Sequence, residues 1–326
     1  MMRSVLCVMA VLLLSGWVCA QDDAPTTETL TCPLDGNKFA WPAERAPSKM
    51  LGSDSDLVLH PLEMPRRHHE MVTCPRCNYS DLRTRFGGAP FDDATRGKLL
   101  TALSKSRYRG VEDAVREIPI AERCRLGSLC AKARGLPTSE RADFAYLAVW
   151  SIRTKSTRPA TLIHRFGDPL RTGRAFALVE RKMTDETDPD KRSELKLHLA
   201  MLAQRSGLPK ERDRWLSEAS KDRGLTAIRR KQLENFREAV VLETSFQKEL
   251  VDVLGEALAE KGLGEDSRIR FAYLRADTLR RLGRLSEAAQ AFKDLSEKMT
   301  GDSTRRHLCD YYAHLLSEHL PKSSKP

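Results

Sequence analysis

Two short stretches repeat one arrangement of chemistry-bearing residues: Thr31-Cys32-Pro33-Leu34-Asp35-Gly36 and Thr73-Cys74-Pro75-Arg76-Cys77-Asn78. A cysteine at a strand end, with a second donor three residues on, lets a tight turn aim both at one metal. Proline after the first cysteine presets that turn. The residue after the second donor takes positive φ, which Gly36 and Asn78 tolerate best. The second stretch is a complete C-P-x-C half-site, whereas in the first Asp35 holds the place of the partner cysteine. Three thiolates and one carboxylate close a tetrahedral zinc site, so Cys32, Asp35, Cys74 and Cys77 are the expected ligands and zinc the expected cofactor. His60, His68 and His69 are alternative sources of the fourth ligand. The long span between Cys32 and Cys74 must loop out of the metal core.

The same thiols admit two other chemistries. Cys32 can bond to Cys74 or Cys77 as a structural disulfide, which an oxidising compartment favours. Alternatively, the chain is a thiol-disulfide oxidoreductase with Cys74 as nucleophile and Cys77 as resolving thiol. That activity wants the first cysteine at a helix start in a βαβ unit, and Asn78-Tyr79-Ser80 instead reads as a turn. Cys124 and Cys130 stand six apart in one predicted helix, so they face different directions and cannot bond each other. They are expected to be buried apolar cysteines, with pairing of either to Cys309 open. His68-His69, after Arg66-Arg67, reads as a solvated loop. There is no Gly-rich phosphate loop, no G-x-S-x-G elbow and no H-E-x-x-H pair, and no enzyme is expected.

The elements that must position these residues follow from the patterning. Arg3, an apolar core from Val5 to Val18 and small Ala20 before Gln21 form the three parts of an export signal over 1–20. The apolar stretch is shorter than the ~20 residues of a spanning helix, so no stable membrane insertion is expected. The exported protein, periplasmic or extracellular, is expected to begin at Gln21. Residues 21–29 read as a flexible lead-in. Residues 30–88, rich in proline and cysteine, read as a zinc-ribbon-like knuckle module of turns and short strands, closed by Gly87-Gly88.

Residues 89–320 carry helical period throughout and 321–326 form a disordered tail, which gives a mainly α fold. Candidate helices include 110–117, 119–134, 225–241 and 245–261. Residues 271–292, FAYLRADTLRRLGRLSEAAQAF, are the best-formed unit. Ala276 and Ala288 fall where paired helices cross, Gly283 at the turn and Phe292 in the gap, at tetratricopeptide-like offsets. Residues 197–216 echo this with Ala200, Gly207 and Leu216, although Arg212 stands where a small residue belongs. The words FAYLAVW at 144–150 and FAYLRAD at 271–277 are not spaced by a multiple of that repeat, which indicates degenerate helical pairs.

The formal charge is +10 with 31% charged residues, of both signs and interspersed. Such a balance favours acidic partners such as an anionic envelope surface, but interspersed signs at helix-surface spacing mark salt-laced, solvated faces. Export argues against nucleic acid as a partner.

CPLDGNKF at 32–39, GSDSDL at 52–57 and CPRCNYSDLRTRF at 74–86, followed by tetratricopeptide-like helices, resemble the bacterial family of domain of unknown function 2225. Its pattern is C-P-x-C-G-x-x-F, an S-D-S-D-like element, then C-P-x-C-G-Y and an aromatic. This chain departs from it at Asp35 and Asn78. The resemblance implies a knuckle module ahead of helical repeats and carries no activity with it. The reading as a whole is an exported, non-catalytic interaction protein that binds a protein or peptide partner through helical hairpins.

Overall fold

The computed structural model describes residues 27–43, 50–53, 59–61, 70–157, 169–223, 225–299 and 304–319. The expected export signal, His68, His69 and the C-terminal tail lie outside the described residues. The N-terminal part is built from three antiparallel hairpins: β1 (Thr27–Thr31) with β2 (Lys38–Pro42), β3 (Met50–Ser53) with β4 (Leu59–Pro61), and β5 (Met71–Thr73) with β6 (Ser80–Leu82). The two cysteine stretches are the turns of the first and third. The β3–β4 hairpin is the excursion between them.

Eleven helices follow among the described residues: α1 (Asp93–Leu103), α2 (Ala114–Glu117), α3 (Ile120–Ala133), α4 (Thr138–Ser156), α5 (Pro169–Asp185) and α6 (Pro189–Ser206), then α7 (Pro209–Lys221), α8 (Ala227–Leu258), α9 (Glu265–Arg281), α10 (Leu285–Lys298) and α11 (Thr304–His319). None is long and apolar enough to cross a membrane. The fold is therefore mainly helical, with helical hairpins behind a small β-hairpin module. Asp92, Asp113, Asp188 and Thr226 cap their helices by accepting backbone N–H groups of the first turn, as short oxygen-bearing side chains do best.

The expected hairpin over 271–292 forms. Ala276, Ala288 and Phe292 are buried, and Gly283 takes positive φ between α9 and α10. Tyr273 meets Phe292 edge-on at 5.7 Å, and Phe292 stacks on Tyr312 of α11 at 5.3 Å. The echo over 197–216 is the α6–α7 pair, with Gly207 left-handed at φ 67. Here Arg212 does not break the packing, because its guanidinium turns back to Gln204 Oε1 at 2.8 Å and pairs with Asp213.

One helix departs from expectation. Residues 227–258 form the single helix α8, about 48 Å long, where two helices separated near Thr244 are predicted. Thr244 Oγ1 donates to Val240 O at 2.8 Å, keeping its hydroxyl inside the helix. Glu243 is fully buried and accepts from Arg153 Nε (2.8 Å), Gln204 Nε2 (2.6 Å) and Gln247 Nε2 (2.9 Å). These bonds come from α4, α6 and α8 itself, so tertiary contacts carry the helix through a weak stretch. Upstream of Glu243, Leu233, Phe236 and Val240 pack with α5–α7; downstream, Phe246, Leu250 and Leu254 pack on α4. The segment 110–117 is likewise helical only over Ala114–Glu117.

Candidate metal centre

Each knuckle is set by two backbone hydrogen bonds that close a tight turn at the strand end. Cys32 N–H donates to Asn37 O and Gly36 N–H to Cys32 O; Cys74 N–H donates to Tyr79 O and Asn78 N–H to Cys74 O, all at 2.9 Å. The two turns therefore share one geometry. It requires positive φ at the fifth position, and Gly36 (φ 70) and Asn78 (φ 64) supply it, Asn78 being the single non-glycine residue of this kind among those described. Asn78 is also anchored. With its amide oriented to satisfy both ends, it donates to Tyr108 O (3.1 Å) and accepts from Arg109 N–H (3.0 Å) and the Ser106 hydroxyl (2.7 Å). Gly110 N–H donates to Pro75 O at 3.0 Å, so the segment after α1 clasps the second knuckle.

The two turns face each other. Cys32, Asp35, Cys74 and Cys77 bring one donor atom each to within 4.8 Å of every other. Cys32 Sγ lies 3.6 Å from Cys77 Sγ, and Cys74 Sγ lies 3.7 Å from Asp35 Oδ1. Two sulfurs at about 2.3 Å from a tetrahedral zinc stand about 3.8 Å apart, and a sulfur at about 2.3 Å and an oxygen at about 2.0 Å stand about 3.5 Å apart. These two edges match those figures, and the sulfur–sulfur edge is far longer than the ~2.04 Å of a disulfide. The cluster can hold a metal ion. Of the alternative ligands, His60 belongs to β4 and His68 and His69 lie outside the described residues.

Burial and charge explain why a cation suits this cluster. The three sulfurs are buried and Asp35 is largely so. Hydrogen bonds from Cys32 and Cys77, with backbone N–H groups of Cys77 and Arg76, pull the Cys74 thiol down to about 3. The Cys32 thiol is pushed up mainly by its hydrogen bond to Cys74, and the Cys77 thiol mainly by its bond to Cys32. Three thiolates and a carboxylate this close repel one another when buried, and a cation is what allows them to ionise together. Burial opposes ionisation of Asp35, but Arg76 and the Asn37 backbone N–H outweigh it and hold the carboxyl below its ordinary value.

The residues around the cluster were not legible as site residues. Asn37 Nδ2 donates to Cys74 Sγ at 3.7 Å, and Arg76 reaches across to Asp35 from the other knuckle. At the opposite end of the hairpins, Arg83 donates to Pro42 O at 2.8 Å and pairs with Glu28, tying β6 to β1 and β2. Behind the knuckles, Phe39, Trp41, Tyr79, Phe86 and Phe91 form an aromatic layer of edge-to-face and tilted ring contacts. That layer continues into Leu99, Leu103, Ile118, Leu126 and Cys130, so the knuckle core runs directly into α1–α3. Asp81 of β6, almost fully buried, accepts from Tyr79 (3.0 Å), Arg85 (3.0 Å) and Arg134 (2.5 Å), and Arg85 also pairs with Glu140 of α4.

The other cysteines fall as expected. Cys124 and Cys130 lie in α3 and Cys309 in α11, all buried and free, with thiols pushed up to about 12 by burial. They belong to three separate core clusters, which leaves the pairing with Cys309 without support. No family model, curated protein or solved structure matches this chain.

Proposed function

We propose that this chain is an exported, non-catalytic scaffold that binds a protein or peptide partner through its helical hairpins, with its knuckles closed by one structural zinc. The observation that carries the reading is the closed donor set of Cys32, Asp35, Cys74 and Cys77, four side chains converging from two matched turns in a buried site. Structural zinc sites take four protein ligands, whereas catalytic ones keep a position open for water or substrate. Because the knuckle core is continuous with α1–α3, the metal supports the first helices as well as the hairpins that bind it. Cys74 sits in a hairpin turn with its sulfur fully buried, which is unlike the exposed, helix-terminal thiolate of disulfide oxidoreductases.

Chelation tests the structural role. Removing zinc with a strong chelator is expected to lower the unfolding midpoint markedly and to melt the near-ultraviolet signal of the aromatic layer, with recovery on adding zinc back. An unchanged midpoint in metal-free protein would rule out a structural metal. The same preparations should show no disulfide-reductase activity; activity that disappears in Cys74→Ser would return the chain to the oxidoreductase reading.

A further inference from the structure

We infer that Arg76 is a positioning residue of the metal centre, one that makes Asp35 serve as a single-oxygen substitute for the missing cysteine. The inference rests on the zinc reading above and goes beyond it by assigning a residue outside the ligand set. The two knuckles are matched in backbone and differ at three positions, and side chains from two of these meet in space. Asp35 replaces a cysteine in the first turn, and Arg76 occupies the variable position of the second. Arg76 Nε donates to Asp35 Oδ2 at 2.8 Å and Arg76 Nη2 donates to Asp35 O at 2.5 Å. The guanidinium thus grips both the side chain and the main chain of the residue that departs from the thiolate pattern. At the same place in the first turn stands Leu34, which is buried in the core.

This grip gives the two carboxylate oxygens different partners. Oδ2 is held by Arg76, while Oδ1 accepts the Asn37 backbone N–H at 3.0 Å and is the carboxylate oxygen nearer to Cys74 Sγ, at 3.7 Å against 3.9 Å. The Cys74 sulfur likewise receives the backbone N–H of Arg76, two residues on, so Oδ1 stands in for a thiolate. With Oδ2 engaged, the carboxylate offers one oxygen and the set stays four-coordinate, as zinc prefers; hard cations such as calcium seek six to eight oxygens. Partners that orient a ligand in this way typically govern metal affinity by 10–100-fold.

The test is a double-mutant cycle on the full-length protein, reading zinc affinity by competition with a chromophoric chelator. Arg76 is more than half exposed, so Arg76→Ala is expected to fold normally. Arg76→Ala should weaken zinc binding by about ten-fold or more. In the Asp35→Cys background, where the fourth ligand is a sulfur that needs no such grip, Arg76→Ala should have little effect. Cobalt(II)-loaded Arg76→Ala should also lose intensity in the visible bands of four-coordinate cobalt. Equal losses in both backgrounds, or no loss in either, would overturn the role of Arg76 while leaving the metal centre standing. Wild-type protein that takes up no zinc would overturn both.

Discussion

Cys74→Ser is expected to abolish metal binding and unfold the knuckle hairpins, at a cost of several kcal/mol or more, since structural zinc in small modules contributes roughly 10–16 kcal/mol of apparent binding free energy. Cys74 Sγ accepts from Asn37 Nδ2, and the Cys74 backbone closes the second knuckle. Serine keeps the turn but supplies a poor ligand. The loss should spread beyond the hairpins, because Val72, Cys74, Cys77 and Tyr79 share one core with Leu99, Leu103 and Leu126. The control is Cys309→Ser, at an equally buried thiol in the α9–α11 core. It should cost about 1–3 kcal/mol for burying an unsatisfied hydroxyl and leave zinc content untouched. Denaturant unfolding with parallel metal analysis separates the two. Similar losses with zinc retained in both variants would mean that Cys74 is an ordinary core cysteine.

The second large effect lies in the helices. Asp277→Ala is expected to destabilise the protein by about 3–5 kcal/mol, the usual result of removing one partner from a buried ion pair. Asp277 Oδ1 accepts from Arg280 Nη2 at 2.5 Å and Oδ2 from Arg281 Nε at 2.6 Å, with all three side chains at most 3% exposed. The two arginines then cap the C-terminal end of α6: Arg280 donates to Ser206 O (2.6 Å) and Gly207 O (3.0 Å), and Arg281 to Arg205 O (2.7 Å). Carbonyls at a helix end lack intrahelical partners and attract cations, so this network joins the α6–α7 pair to the α9–α10 pair. A Cβ at Gly207 would stand 2.6 Å from the Arg280 guanidinium, and the left-handed φ of 67 there favours glycine as well.

The same network sets a pH dependence. Burial opposes ionisation of Asp277, but Arg281 and Arg280 outweigh it and hold the carboxyl well below its ordinary value of 3.8. A carboxyl depressed in the folded state contributes stability that is full above the unfolded value and is lost as pH falls towards the folded one. Stability of the wild type should therefore decline from about pH 5 downward, and Asp277→Ala should flatten that part of the profile. A profile unchanged by the substitution would place the acid sensitivity elsewhere.

These two cases also show what the sequence can and cannot disclose. The knuckles were readable because their constraint is local: cysteine, proline and a residue tolerant of positive φ follow each other within five positions, and the turns at Gly36 and Asn78 obey it. The α9–α10 hairpin was readable for the same reason, its small residues and glycine lying at fixed offsets. The pairing of Arg76 with Asp35 was not, since it joins positions far apart in the chain and only the facing of two turns creates it. Interspersed charges on the helices read in general as solvated, salt-laced faces, and the burial of Asp277, Arg280 and Arg281 is an exception to that reading. Periodicity assigns charged residues to the outside, and nothing local reveals that a neighbouring helix end supplies carbonyls to satisfy them. The break expected near Thr244 failed similarly, because Glu243 finds its partners on α4 and α6.

X-ray absorption at the zinc edge, on protein purified without added metal and quantified by elemental analysis, reads the ligand set itself. One zinc per chain is expected, with three sulfurs at about 2.3 Å and one oxygen at about 2.0 Å, the donors of Cys32, Cys74, Cys77 and Asp35. Protein without metal in which Cys32 and Cys77 are joined by a disulfide, or a zinc whose shell contains imidazole nitrogen in place of the oxygen, would contradict it.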